Sequence, residues 1–139
     1  MKLALVVLNY NDADNTLKVL GNTANYDVFD KVIVVDNASN DDSRIRLKSY
    51  CEDNEKIYFV ENHENKGYGA GNNIGIFVAK KLGMDLALIA NPDTDFEERV
   101  IKVLKSAMER NENIGICAPL VETNDVYGGR ENVLKGASC

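Results

Sequence analysis

Two carboxylates and two amide-bearing turns stand where this chain could do chemistry. Asn91-Pro92-Asp93-Thr94-Asp95-Phe96 follows the apolar run Leu86-Ala87-Leu88-Ile89-Ala90. The run reads as a buried strand, and Pro92 ends it, because proline has no N–H to donate and pushes Asn91 out of helical geometry. Hard oxygen ligands on a short loop past a strand suit Mg²⁺ or Mn²⁺, particularly where phosphates complete the shell. A third carboxylate, Asp36, closes the apolar run Val32-Ile33-Val34-Val35 and is followed by Asn37. At a strand end it could accept the ring N–H of uracil or thymine, or a ribose hydroxyl. Asn9 and Tyr10 close a third run, where backbone groups and an aromatic ring could hold a base. Gly67-Tyr68-Gly69-Ala70-Gly71-Asn72-Asn73 opens a helix whose first N–H groups could face an anion; tight-turn geometry or close backbone packing is the alternative reason for its glycines.

These residues need a frame that brings them together. Leu3 to Leu8 is a near-continuous apolar run, the pattern of a strand covered on both faces. Ile57-Tyr58-Phe59-Val60 forms a third strand, ending in Glu61-Asn62-His63. Helices are predicted after Asp12 or Asp14, after Ser39 or Asp41 as far as Glu52, from about Ala70 to Leu82, and from Glu97 to Arg110. In the second, Ile45, the Lys48 stem and Cys51 share a side. In the last, Val100, Ile101, Leu104, Ala107 and Met108 make one stripe. A fifth strand is expected from Ile114 to about Ala118, stopping near Pro119, before a polar, turn-rich stretch from Thr123 to Gly129.

Strands alternating with helices imply an α/β, Rossmann-like, mostly parallel sheet flanked by helices on both faces. In such sheets ligands bind beyond the carboxyl ends of the strands. The first four strands each end there in a polar cluster, and the opposite edge, such as Tyr26 to Lys31, carries no comparable density. Asn and Asp also favour turns and caps, which accounts for Asp12, Asp14 and Asp41.

The 139 residues fit a single domain, with 45% hydrophobic and 27% charged side chains. A net charge of −6 argues against a nucleic-acid partner, though not against one nucleotide neutralised by a metal. No segment is long enough to span a membrane. Cys51, Cys117 and Cys139 lack metal-ligand spacing. Cys117 reads as a buried thiol, and the absence of a disulfide framework suits a cytoplasmic protein, with the cytoplasmic face of a membrane as the alternative place. His63 is the only histidine, so no zinc site is expected. The glycine run is neither a dinucleotide fingerprint nor a P-loop. A sugar nucleotidyltransferase would carry a basic glycine loop after the first strand, and Asn9-Tyr10-Asn11-Asp12 is not one.

Four motifs occur in order: Val6-Val7-Leu8-Asn9-Tyr10-Asn11, Val34-Val35-Asp36-Asn37-Ala38-Ser39-Asn40-Asp41, Asn65-Lys66-Gly67-Tyr68-Gly69-Ala70-Gly71-Asn72-Asn73 and Asn91-Pro92-Asp93-Thr94. Together they resemble the family 2 glycosyltransferases of the GT-A fold, nearest to rhamnosyltransferase-like members. The resemblance implies a nucleotide-diphosphate sugar donor (UDP- or dTDP-linked), a divalent metal, and inverting transfer to a saccharide or lipid-linked acceptor in polysaccharide or cell-envelope glycan synthesis. It places Leu8, Asn9 and Tyr10 along the nucleotide, Asp36 and Asn37 at the base, and Lys66, Gly67, Gly71, Asn72 and Asn91 beside the donor. The resemblance also implies that Asp93 holds the metal. The family's Asp-x-Asp motif fits either Asp93-Thr94-Asp95 literally or Asn91-Pro92-Asp93 by strand end, so Asp95 and Asn91 compete for the second ligand. The family's catalytic base lies beyond a Gly-Ala strand that Gly136-Ala137 resembles. The chain is therefore expected to be the donor-binding part of a longer enzyme, with its base beyond Cys139. The alternative is a non-catalytic nucleotide-sugar-binding or assembly module, and a homo-oligomer is left open.

Overall fold

Seven residues, Leu3–Asn9, form strand β1, and all seven are buried. The unbroken apolar run is thus the central strand of a sheet covered on both sides. The structure, a computed structural model, describes residues 1–121 and 134–138. Its elements continue as α1 (Ala13–Thr23), β2 (Lys31–Asn37), α2 (Ser43–Glu52), β3 (Ile57–Asn62), α3 (Tyr68–Lys81), β4 (Leu86–Ala90), α4 (Glu98–Arg110), β5 (Ala118–Val121) and β6 (Leu134–Ser138). The chain divides into two compact units, Met1–Asp95 and Phe96–Cys139.

In the first unit the strands lie in the order β3-β2-β1-β4, and every pairing is parallel. All four carboxyl ends therefore meet on one edge. Side chains alternate across the sheet. Ala4, Val6, Leu8, Ile33 and Val35 face one way and pack with Ile74, Val78 and Ala79 of α3 and with Leu82 just past its end. Asn9 faces the other way, where Thr16 of α1 bonds it, and α1 and α2 cover that side. Helices thus flank both faces.

Helix α3 sits tightly on the sheet because Gly71, Gly75 and Ala79 recur at every fourth position on its buried side. A methyl group added at Gly75 would overlap Val6 Cγ1, and one at Gly71 would lie 2.5 Å from Leu8 Cδ1. On α2 the buried stripe is Ser43, Leu47 and Cys51. Ile45, expected on that stripe, faces solvent, because Leu47 holds the sheet side one turn from both Ser43 and Cys51.

The second unit contains α4 and an antiparallel pair, β5 with β6. The expected fifth strand is displaced: it begins at Ala118 and runs through Pro119 instead of stopping there. A two-stranded ribbon consists only of edge strands, which tolerate proline. Gly136 and Ala137 do lie in a strand, β6. Cys117 is half-buried and disulfide-bonded, so it is not the free thiol that its apolar neighbours suggested. The polar stretch from Thr123 to Gly129 lies outside the described residues, as does Cys139. No helix among the described residues is long and apolar enough to cross a membrane.

Candidate functional site

At the carboxyl edge, β1 and β2 end in paired polar residues: Asn9 lies opposite Asp36. Both are fully buried. Asn9 Nδ2 donates to Asp36 Oδ1 at 2.9 Å and to Ser39 Oγ at 3.1 Å, while Asn9 Oδ1 accepts from Thr16 Oγ1 at 2.9 Å. Ser39 sends its hydroxyl to Asp36 Oδ1 at 2.6 Å and its backbone N–H to Asp36 Oδ2 at 3.1 Å. Ser39 Oγ also accepts the N–H of Asn11, and Asn11 Oδ1 accepts the N–H of Asn40. These bonds tie the β1–α1 turn to the β2–α2 turn. They hold Asn11 and Ala38 at positive φ, 53° and 62°, a conformation that asparagine tolerates and that is uncommon for alanine. Ser39, expected as a helix cap, belongs instead to this cross-strand node. Asp41 Oδ1 accepts the Ser43 N–H, and the hydrogen bonds from Ser43 lower the Asp41 pKa.

On the α3 side of the same edge, Asn37 pairs with Asn62. Asn62 Nδ2 donates to Asn37 Oδ1 at 2.9 Å, and Asn37 Nδ2 donates to Asn65 Oδ1 at 3.0 Å. That same oxygen accepts the N–H of Gly67 at 2.9 Å, and Gly67 has φ 94°, the left-handed region that favours glycine. Gly71 packs on Leu8 and Asn37, so the Leu8 side chain is part of the core beneath the site. Asn72 is 3% exposed. Its Nδ2 bonds the Tyr68 carbonyl, and its Oδ1 has no partner. Such a buried orphan acceptor costs about 1–3 kcal/mol and would be satisfied by an N–H or O–H group. Lys66 is exposed and pairs with Glu64 at 3.2 Å. Tyr10 is exposed at the end of β1.

The loop after β4 turns sharply, with the Thr94 N–H on the Asn91 carbonyl at 3.0 Å and Pro92 in the position that type I and II turns favour. The turn separates its polar residues. Asn91 Oδ1 accepts the Tyr68 hydroxyl at 2.7 Å, on the α3 side. Asp93, Thr94 and Asp95 instead line a cavity of about 80 Å³ with Asn15, Lys18 and Asn22 of α1. Among the described residues no group of three His, Cys, Asp or Glu side chains could hold a metal. The donor set present, two carboxylates with amides and a lysine close by, fits a hard divalent cation that takes the rest of its shell from phosphates and water. It does not fit an all-protein cage. Sequence reasoning left out Tyr68, Thr16, Asn15, Lys18 and Asn22. Helical spacing places the last four on α1, but nothing in the chain marks which strand end they meet.

A parallel sheet whose polar strand ends share one edge invites comparison with known proteins. The sequence model of the family described as glycosyl transferase family 2 matches residues 4–135. The chain belongs to glycosyltransferase family 2. It is 25% identical over 120 residues to the low-salt glycan biosynthesis hexosyltransferase Agl10 of Haloferax volcanii, covering 86% of this chain and 36% of that protein. It is 29% identical over 137 residues to an uncharacterised glycosyltransferase of Methanocaldococcus jannaschii, covering 96% of this chain and 45% of that one. The chain thus spans less than half the length of these curated relatives. Among solved structures, the mannosyltransferase PcManGT from Pyrobaculum calidifontis, in complex with GDP-Man and Mn²⁺, superposes with a TM-score of 0.67 at 20% identity, over 77% of this chain and 32% of that one. S. aureus TarS 1–349 in complex with UDP-GlcNAc gives 0.63 at 19% identity, over 81% and 32%. The family 2 fold expected from the four motifs, the GT-A α/β arrangement, is the one observed.

Proposed function

We propose that this family 2 chain binds a nucleotide-diphosphate sugar across the carboxyl edge of its sheet, with Asp93 and Asp95 holding a divalent metal at the β4 end. The observation that carries the reading is the convergence of four polar strand ends on one edge of a parallel sheet, where open α/β sheets take their ligands. The GDP-Man and Mn²⁺ of one structural neighbour and the UDP-GlcNAc of another support a nucleotide-sugar donor.

Each group has a task in this reading. Asp93 and Asp95 give carboxylate oxygens, and Lys18 in the same cavity wall brings positive charge toward the diphosphate. Asn91 serves through its bond to Tyr68, which joins the β4 loop to the first residue of α3. Asn72 Oδ1 accepts a donor hydroxyl. A divalent metal, when bound, supplies Lewis-acid stabilisation of the charge on the departing diphosphate. Attack by a saccharide or lipid-linked acceptor from the far face of the sugar inverts the anomeric centre, with a general base that no described residue is assigned to provide.

Titration of the folded chain with UDP-, dTDP- and GDP-sugars, with and without Mn²⁺, tests the reading by calorimetry. Metal-dependent saturable binding of at least one is expected, and binding of none refutes it. Incubation with acceptors separates an enzyme from a donor-binding module, since sustained product formation rules out the latter.

A further inference from the structure

Helix α3 is apolar on both sides, and its inner side, with Gly71, Gly75 and Ala79, lies on the sheet. The outer stripe, at helical spacing, is Gly69, Asn73, Ile76, Phe77, Lys80 and Lys81, all exposed. Phe77 is 55% exposed, with Ile76 exposed beside it. A helix that is apolar all round is normally covered all round. The residues of α3 also include no Asp or Glu. The other helices differ, since their exposed positions mix both signs: Asp14 with Lys18 on α1, Lys48 with Glu52 on α2, and Lys102 with Glu109 on α4.

The strands beneath α3 extend this character. Ile33 and Val6 face the helix, and they pair with Tyr58 and Ile89. Paired residues share a face of the sheet, so exposed Tyr58 and Ile89 flank α3 on the two outer strands. The charge here has one sign. The Lys81 ammonium stands 4.5 Å from the Phe77 ring centroid, and the Lys31 ammonium 5.3 Å from that of Tyr58. No strand position on the α3 face is Asp or Glu; Asp36 and Glu61 alternate with Val35 and Val60 and so point to the opposite face. Of the carboxylates on the amino-edge loops, Asp30 and Asp85 are engaged by the N–H groups of Leu3 and Lys2.

We propose that the α3 side of the first unit docks on an anionic lipid bilayer. Phe77 and Ile76 seat at the boundary of headgroups and acyl chains, and Lys80, Lys81 and Lys31 meet the phosphates. Exposed apolar side chains interspersed with lysines, whose stems cover apolar surface while their heads stay wet, suit that interface. A second copy of this chain is a poor occupant, because it would bring the same lysines with no carboxylate to meet them. The net charge of −6 does not oppose docking. The acids of α1 and α2 lie across the sheet, two layers of about 10 Å away, beyond the roughly 8 Å over which charges act at physiological salt. Docking does not depend on donor binding. Because α3 starts at the carboxyl edge, where Tyr68 bonds Asn91, it leaves that edge opening along the bilayer surface, within reach of a lipid-linked acceptor.

The chain contains no tryptophan, so Phe77→Trp places a single reporter on the helix. With vesicles of phosphatidylcholine and phosphatidylglycerol at about 0.1 M salt, its emission should shift to the blue and be quenched by brominated acyl chains. Phosphatidylcholine alone should give no shift. Ile45→Trp, exposed on α2 across the sheet, should not shift with either. In co-sedimentation with the mixed vesicles, Lys80→Gln and Lys81→Gln should each weaken binding about fivefold, and Phe77→Ser about tenfold. Lys48→Gln on α2 should leave it unchanged, and thermal melts check each fold. No binding by the parent, equal binding to uncharged vesicles, or equal shifts at positions 45 and 77 overturns the proposal. So does a dimer in sedimentation velocity that Phe77→Ser abolishes, since the face would then join two copies.

Discussion

Across the β1–β2 pairing, Asn9 Nδ2 donates to Asp36 Oδ1 at 2.9 Å with both residues fully buried. Ser39 adds its hydroxyl and its N–H to the same carboxylate. Removing that carboxylate strands three donors at once, and an unsatisfied buried group costs about 1–3 kcal/mol. Asp36→Ala is therefore expected to destabilise the chain by about 3 kcal/mol or more in urea unfolding. Asp36→Asn, which keeps one acceptor oxygen, should cost less. A loss under about 1 kcal/mol in Asp36→Ala would mean that the node does not hold the turns.

The glycines of α3 should respond in opposite directions. At Gly75 an added methyl meets Val6 Cγ1, on a β-branched side chain that cannot swing away. Overpacking of this kind costs about 1–3 kcal/mol, more than the roughly 1 kcal/mol that alanine gains in helix propensity, so Gly75→Ala should be destabilising. Gly71→Ala meets the flexible end of Leu8 and should cost less. Nothing lies within 4 Å at Gly69, and Gly69→Ala should stabilise by about 0.4–1 kcal/mol through the unfolded chain. Thermal melts of the three variants check the order.

The turn after β4 makes a prediction about metal. Asp93 and Asp95 line one cavity, whereas Asn91 is turned to Tyr68. In titrations of the nucleotide-bound chain, Asp93→Ala should raise the Mn²⁺ midpoint at least about tenfold, or roughly 1.4 kcal/mol. Asp95→Ala should raise it less, and Asn91→Ala should leave it within about twofold. If Asn91→Ala shifts the midpoint as far as Asp93→Ala does, the ligand pair is Asn91 with Asp93 instead.

What the chain disclosed in advance follows from what dominates locally. Leu86–Ala90 is a strand, as its apolar run and Pro92 implied, but not the buried one expected: it lies at the edge of the four-stranded sheet and Ala87 and Ile89 are exposed, whereas Leu3 to Leu8 is a central strand with both faces buried. The ends of β2 and β3 run two residues further than expected. Asp36, Asn37 and Asn62 look like turn residues, yet ladder pairing continues through polar side chains once these are hydrogen-bonded to one another. Contacts such as Asn9 with Asp36 or Asn37 with Asn65, 27 and 28 residues apart, have no periodic signature. The sequence therefore suggested where the site lies and left its partners unassigned.

Cys51 gives a prediction on pH. It is buried beside Leu47 on the inner side of α2, and burial raises its thiol pKa from 9.0 to about 11. The fold favours the neutral thiol over the thiolate. Stability from this source is complete below pH 9 and is lost as pH climbs toward 11. Tyrosines and lysines titrate in the same range, so the comparison is with Cys51→Ala. The urea-midpoint difference between parent and variant should stay constant from pH 7 to 8.5 and shift against the parent between about pH 9 and 11, the unfolded and folded thiol values, as the unfolded parent ionises a thiol that the fold keeps neutral. At pH 8 on the order of one folded molecule in a thousand carries the thiolate. A disulfide reagent should therefore label Cys51 slowly in the native chain and rapidly in urea, with Cys51→Ala as the blank. Fast native labelling at pH 8 would show that α2 opens readily or that Cys51 is not sealed beneath it.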